Sequence, residues 1–199
     1  MLNSSPAATT TRHTHVLTTL LAYAGFVGLG ASNSLVGVAW PSIRDTFGLP
    51  LDALGALLIA NTLGYMLASA LSGRLLARLG VARLLAGCFA LATLALALSG
   101  AAPSWPALLG LSFVLGLGGG ALDGSLNAYA AAHFSPRSMN WLHACFGVGA
   151  TLGPAIMTWA VVSGPGWRAG YLAVGAIQLA LALGFVLSRR SWDAPASAA

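Results

Sequence analysis

A chain of 199 residues with 57% hydrophobic and only 7% charged side chains cannot clothe a water-facing surface, for which about 25% charge is ordinary. Its net charge of +5 rests on nine arginines and no lysine. They are dispersed between apolar runs, which excludes a nucleic-acid face, because that needs cations gathered on one surface. What remains is an all-α integral membrane protein, since long apolar segments must satisfy their backbone groups internally and so become helices.

Residues 1–15, rich in Ser, Thr and Ala, are expected to form a disordered cytoplasmic tail. Arg12 ahead of an apolar run has the outline of a signal peptide cleaved near Gly30-Ala31-Ser32, but the run is too long for an h-region and is read as a retained span. Six spans are predicted at about 16–40, 53–72, 83–102, 107–131, 142–163 and 169–188, each close to the 20 residues that cross a bilayer. Pro41 and Gly48-Leu49-Pro50 punctuate the first gap, Pro103 and Pro106 the third, Ser135-Pro136 the fourth and Gly164-Pro165-Gly166 the fifth. Residues 189–199 are expected to be a second cytoplasmic tail.

Polar residues inside these spans are few, and each is a functional candidate because it is costly there. The first helix carries Gly30, Asn33, Gly37 and Trp40 on one face, and the second carries Asn61, Tyr65 and Ser69. Asn33 and Asn61 serve either as bridges between helices or as substrate ligands, and Tyr65 shares the Asn61 stripe. The third span has almost nothing polar and reads as lipid-facing. Cys88 and Cys145 lie within spans and read as inert buried thiols with no metal spacing.

The fourth span is crowded by Gly116, Gly118, Gly119 and Gly120, a density that permits close helix packing in a membrane. It also contains Asp123, with Asn127 one turn further on the same face. An acid near a helix centre costs roughly 2.5–3.5 kcal/mol on insertion scales. Asp123 is therefore either a structural acid that fixes packing or a carboxyl that gains and loses a proton as a cavity opens to each side. The fifth span places His143, Gly147, Ala150 and Pro154 on one face. His143 is a candidate proton partner of Asp123 or an interfacial cap. The sixth span has Gln178 alone.

With an even number of spans both termini share a side. Arg12, Arg74, Arg78, Arg83, Arg137, Arg189 and Arg190 fall on it, against Arg44 and Arg168 opposite, which makes it the cytoplasmic side. A weak repeat, Phe26-Val27-Gly28-Leu29-Gly30 against Phe113-Val114-Leu115-Gly116-Leu117-Gly118, aligns Gly28 with Gly116 and helix 4 with helix 1. Three spans is an odd number, so the two triplets are inverted repeats, a design recurrent in secondary carriers.

These residues resemble a known family. Gly73-Arg74-Leu75-Leu76-Ala77-Arg78-Leu79-Gly80-Val81-Ala82-Arg83 is similar to the cytoplasmic loop signature G-x-x-x-D-R-x-G-R-[KR] of the major facilitator superfamily. Gly73, Arg78 and Gly80 match in register, Ala77 and Val81 replace the usual Asp and Arg, and Arg83 comes one place late. Pro41 to Leu49 resembles the first external loop of these carriers, and Gly166-Trp167-Arg168 with Tyr171 resembles the start of their sixth helix. Gly149-Ala150-Thr151-Leu152-Gly153-Pro154 resembles the G-x-x-x-G-P part of their fifth helix, which implies packing and gating roles for Gly149, Gly153 and Pro154.

Asp123-Gly124-Ser125-Leu126-Asn127 and Leu142 to Ala150 look most like the fucose/glucose-type proton symporters. That resemblance implies Asp123 as the proton-coupling carboxyl and Asn127 as a substrate hydrogen-bond group. A second acid of those carriers falls here on Gly37. The implied protein is a multi-pass secondary transporter of a small solute such as a sugar, in the plasma membrane (a bacterial inner membrane), working by alternating access and coupled to protons. The chain covers the N-terminal six-helix bundle alone, so the resemblance implies a partner bundle, either a missing C-terminal half or a second copy. Its other partners are membrane lipid, the solute and protons, with no nucleic acid and no cofactor. Rival readings are an efflux antiporter, toward which Gly153-Pro154 leans, and a truncated, non-transporting membrane protein. An intramembrane protease built on Ser32 and His143 lacks the helix order such enzymes need.

Overall fold

A computed structural model describes residues 6–192, with side chains from residue 16 onward. Residues 1–5 and 193–199 of the expected tails, and the side chain of Arg12, lie outside the described residues. The elements are α1 (Pro6–Phe47), α2 (Ala53–Leu79), α3 (Val81–Gly100), α4 (Trp105–His133), α5 (Pro136–Val162), α6 (Gly166–Leu187) and a short α7 (Arg189–Trp192). The first six are each long and apolar enough to cross a membrane, and no strand occurs among the described residues. The protein is an all-α, six-span bundle.

Several helices outrun their expected bounds. α1 begins at Pro6, inside the segment expected to be a disordered tail, and continues through Pro41 to Phe47. A proline in a spanning helix removes one hydrogen bond without ending the helix when neighbouring helices support it. The stop comes instead at Gly48, whose φ of 63° breaks the helical path. α2 runs to Leu79 rather than 72, so Gly73 and Arg78 lie on its last two turns and not in a loop. Gly80, with φ 75°, is the whole connection, and Arg83 sits in the first turn of α3. α5 starts at Pro136, where Ser135 accepts a hydrogen bond from the backbone N–H of Ser138 at 3.2 Å and Pro136 supplies a helix-ready first residue.

Apolar lipid removes the hydrophobic drive between spanning helices, so close backbone approach must hold them together. α1 packs on α5 and α2 on α4 over the largest contacts, and α3 packs on α6. Glycine makes the first two pairs fit. A Cβ on Gly30 would meet the carbonyl of Phe146, and one on Gly149 the carbonyl of Val27. On the other pair, Gly116 meets Asn61 O, and Gly64 meets Phe113 O. The two contacts are copies of each other, as inverted repeats require. They set Gly30 on Gly116 and Val27 on Phe113, which corrects the alignment of Gly28 with Gly116. Gly28 serves a different approach, against Gln178 and Leu181 of α6.

Two apolar clusters fill the bundle. One, toward the end carrying Arg74, Arg78, Arg83 and Arg137, holds Phe26, Phe89, Leu126, Tyr129, Phe185 and Trp192. The other holds Leu35, Trp40, Ile43, Leu96, Trp167 and Tyr171. The third span corrects another expectation: Leu85, Phe89, Ala92, Leu96 and Ser99 of α3 are buried against neighbouring helices, while Leu94 and Leu98 remain exposed. In a membrane apolar composition marks both the core and the lipid face, so it does not tell them apart.

Candidate functional site

Gly116 and Gly120 bring α4 against the backbone of α2 at Asn61 and Tyr65. That approach lays the Tyr65 ring over Gly119, 3.6 Å from where a Cβ would stand. One turn further along α4 the phenol reaches Asp123. The Tyr65 hydroxyl donates to Asp123 Oδ2 at 2.7 Å, and Asn127 Nδ2 donates to Asp123 Oδ1 at 3.0 Å. Both carboxyl oxygens thus accept one bond each from an uncharged group. Asp123, Asn127 and Tyr65 are all half-buried. By helix rise the carboxyl lies about 15 Å inside the arginine-rich end of α4.

Among the described residues no cation forms an ion pair with this acid. The ion pair among the described residues is Arg44–Asp45, 3.9 Å apart and at the opposite end of the bundle. Uncharged donors stabilise a carboxylate less than a guanidinium would. Asn127 Oδ1 is buried and has no hydrogen-bond partner among the described residues.

The other expected site residues are dispersed. Asn61 Nδ2 donates to Ser112 O at 3.1 Å, and Ser112 Oγ donates to Leu57 O at 3.4 Å, so Asn61 ties α2 to α4. Asn33 and Asn61 line a cavity of about 40 Å³ with Ser32, Ser112 and Tyr171. That is room for a few waters. His143 is exposed on α5 with its ring edge-on to Phe26, at 5.8 Å between centroids, and the structure gives it no contact with Asp123. α5 packs on α1 rather than on α4, which separates the two residues. Gly149 and Gly153 lie against Val27 and Ala31 of α1, and Pro154 stands half-buried beside them within α5.

Two polar assemblies were missed in the sequence. Gln178, fully buried on α6, donates to Gly28 O at 2.9 Å and also bonds Ser32 Oγ. A glutamine in an apolar span signals a hidden partner, but a backbone carbonyl gives that partner no sequence mark. Arg168 Nη1 donates to Gly100 O at 3.2 Å and to Ala102 O at 2.9 Å, capping the end of α3, while its guanidinium lies 4.6 Å from the Trp167 ring. Trp167 Nε1 donates to Thr46 Oγ1 at 3.0 Å and so ties α6 to the end of α1.

Comparison with known proteins fits this architecture. The chain is 33% identical over 121 residues to an uncharacterized transporter, y4wD, of Sinorhizobium fredii (strain NBRC 101917 / NGR234). The match covers 58% of this chain but 31% of that protein, so the chain spans less than a third of that relative's length in the alignment. The family model described as Major Facilitator Superfamily matches residues 22–198, nearly all of the six-span bundle. With its six spans, its glycine-packed inverted repeats and that match, the chain belongs to the Major Facilitator Superfamily.

Proposed function

We propose that the bundle is one half of a secondary active transporter that moves a small polar solute by alternating access, with Asp123 as the proton-coupling carboxyl. The observation that carries this reading is the Tyr65–Asp123–Asn127 triad: an intramembrane acid, half-buried, held by two uncharged donors and ion-paired with no cation among the described residues. A structural acid is better served by a guanidinium or by full burial in the protonated form. An acid that must load and release a proton needs bonds weak enough to exchange and a path to water. Asn127 and Tyr65 stand beside the carboxyl as the groups that meet the solute, and a sugar suits them because its hydroxyls both donate and accept. Asn33 and Asn61 line a cavity that does not include Asp123, which supports a role for them apart from the proton.

The solute passes between this bundle and a second six-helix bundle facing the same polar surface. The excess of arginine at the end carrying Arg74, Arg78 and Arg83 supports a cytoplasmic side there, with both termini, in a bacterial inner membrane. The efflux reading leaned on Gly153-Pro154, but Gly153 is already explained by its contact with α1 and carries no information on direction. The test is uptake of a labelled hexose into energised vesicles from cells expressing the protein. Asp123→Asn is expected to abolish the part of uptake that a protonophore also abolishes. Equal gradient-dependent uptake by that variant would remove Asp123 from the coupling role.

A further inference from the structure

We infer that Asn127 reports the protonation state of Asp123 to the solute by turning over its amide. The inference rests on the proton-coupling reading above and adds the atom through which coupling passes. In the described state Nδ2 faces Asp123 Oδ1 at 3.0 Å, the attractive arrangement only when that oxygen is an acceptor. The other end of the same amide, Oδ1, is buried without a partner.

When a proton arrives from water at the half-buried carboxyl, an O–H bond forms on one carboxyl oxygen and that oxygen becomes a donor. On Oδ2 it would face the Tyr65 hydroxyl, which already donates there at 2.7 Å and has no second acceptor among its described bonds. On Oδ1 it faces Asn127, which carries an idle acceptor. A half-turn about the last side-chain torsion breaks the N–H···O bond and makes an O–H···O bond to Asn127 Oδ1. The Tyr65 bond to Oδ2 is untouched, and no other atom moves. Of the titratable groups on helices packed against α4, Tyr65 of α2 is the one bonded to the carboxyl. Cys88 of α3 lies against Gly118 on a different face of α4, and Arg74, Arg78 and Arg83 sit toward the α2–α3 turn. Tyr23 of α1 is engaged with Ser138 O at 3.3 Å.

The turn reverses what Asn127 offers. With Asp123 ionised the end of the amide away from the carboxyl is a carbonyl oxygen, buried in this state, and it suits a solute donor once the bundle opens there. With Asp123 protonated it presents an NH₂ group, and a buried donor without a partner is costly. Proton and solute therefore bind together when the solute supplies an acceptor oxygen at this point, whether hydroxyl, ether or carbonyl. A solute whose only polar group is an ammonium gains nothing from the proton.

Infrared difference spectroscopy on the full chain in liposomes, with the asparagine side chains isotope-labelled, tests this without a ligand. Acidification is expected to produce a protonated-carboxyl C=O band, lost in Asp123→Asn, together with a downward shift of one asparagine C=O band. That shift is expected to vanish in both Asp123→Asn and the near-isosteric Asn127→Leu. The wild-type spectrum decides even if a variant misfolds. A carboxyl band that appears without any asparagine shift overturns the amide turn and leaves the proton site standing. Absence of a carboxyl band belonging to Asp123 overturns both.

Discussion

Asp123 is bonded from two directions, by Asn127 one turn further along its own helix and by Tyr65 from α2. Tyr65 was legible as a polar residue in a span, but its bond to Asp123 depends on how closely α2 approaches α4, which neither helix states by itself. The same limit hid Gln178, whose acceptor Gly28 O is a backbone atom. It also hid that His143 meets Phe26 of α1. The Tyr65–Asp123 bond makes a measurable claim. Tyr65→Phe keeps the ring over Gly119 and removes only the donor. In a double-mutant cycle with Asp123→Asn, read as unfolding free energy in mixed micelles, the pair should couple by about 0.6–1.7 kcal/mol, the range found for interhelical hydrogen bonds in membrane proteins. Additive effects would mean the hydroxyl is not bonded to the carboxyl.

Helix existence was plain from the apolar runs; helix ends were not. Pro41 reads as a stop in water, yet α1 passes through it, and the true stops are Gly48 and Gly80, which adopt left-handed backbone angles. The glycine run of α4 holds as helix because the space it opens is filled by the α2 backbone. Gly120→Ala should therefore push α4 away from Tyr65 O and destabilise the bundle by about 1–3 kcal/mol, the usual cost of overpacking. Gly87→Ala is the control: nothing stands within 4 Å of its Cβ position, and alanine should stabilise α3 slightly. Thermal denaturation of both variants in the same detergent separates the two outcomes. Gly80→Ala is expected to cost about 1–2 kcal/mol for a different reason, because an L residue there must hold φ 75° in the turn between α2 and α3. Equal melting of Gly80→Ala and wild type would show that this turn relaxes into another geometry.

At the scale of the whole molecule the repeat was visible but its register was not. A short glycine match cannot distinguish the glycine that faces α5 from the one that faces α6. Once contacts fix Gly30 on Gly116, Gly37 takes on α1 the place that Asp123 takes on α4, seven residues beyond in each case. Gly37 has nothing within 4 Å of its Cβ position and is exposed, as are Asn33, His143, Gly147 and Thr151. α2 and α5 bury the least of their apolar windows, 17% and 22%, against 50% for α1 and 44% for α4. Lipid covers exposed leucine at no cost but cannot satisfy an amide, an imidazole or a carboxyl. A face that mixes these groups with open glycines suits the second bundle of the proposed function better than lipid. Solute transport should therefore need two bundles in contact. Reconstituted at less than one bundle per vesicle, the chain is expected to show no proton-driven hexose uptake. Uptake should appear at higher protein-to-lipid ratios or when a complementary six-span bundle is co-reconstituted. A constant rate per bundle down to single occupancy would show that this face works alone, and the polar surface would then have to be closed by α1, α2, α4 and α5 themselves.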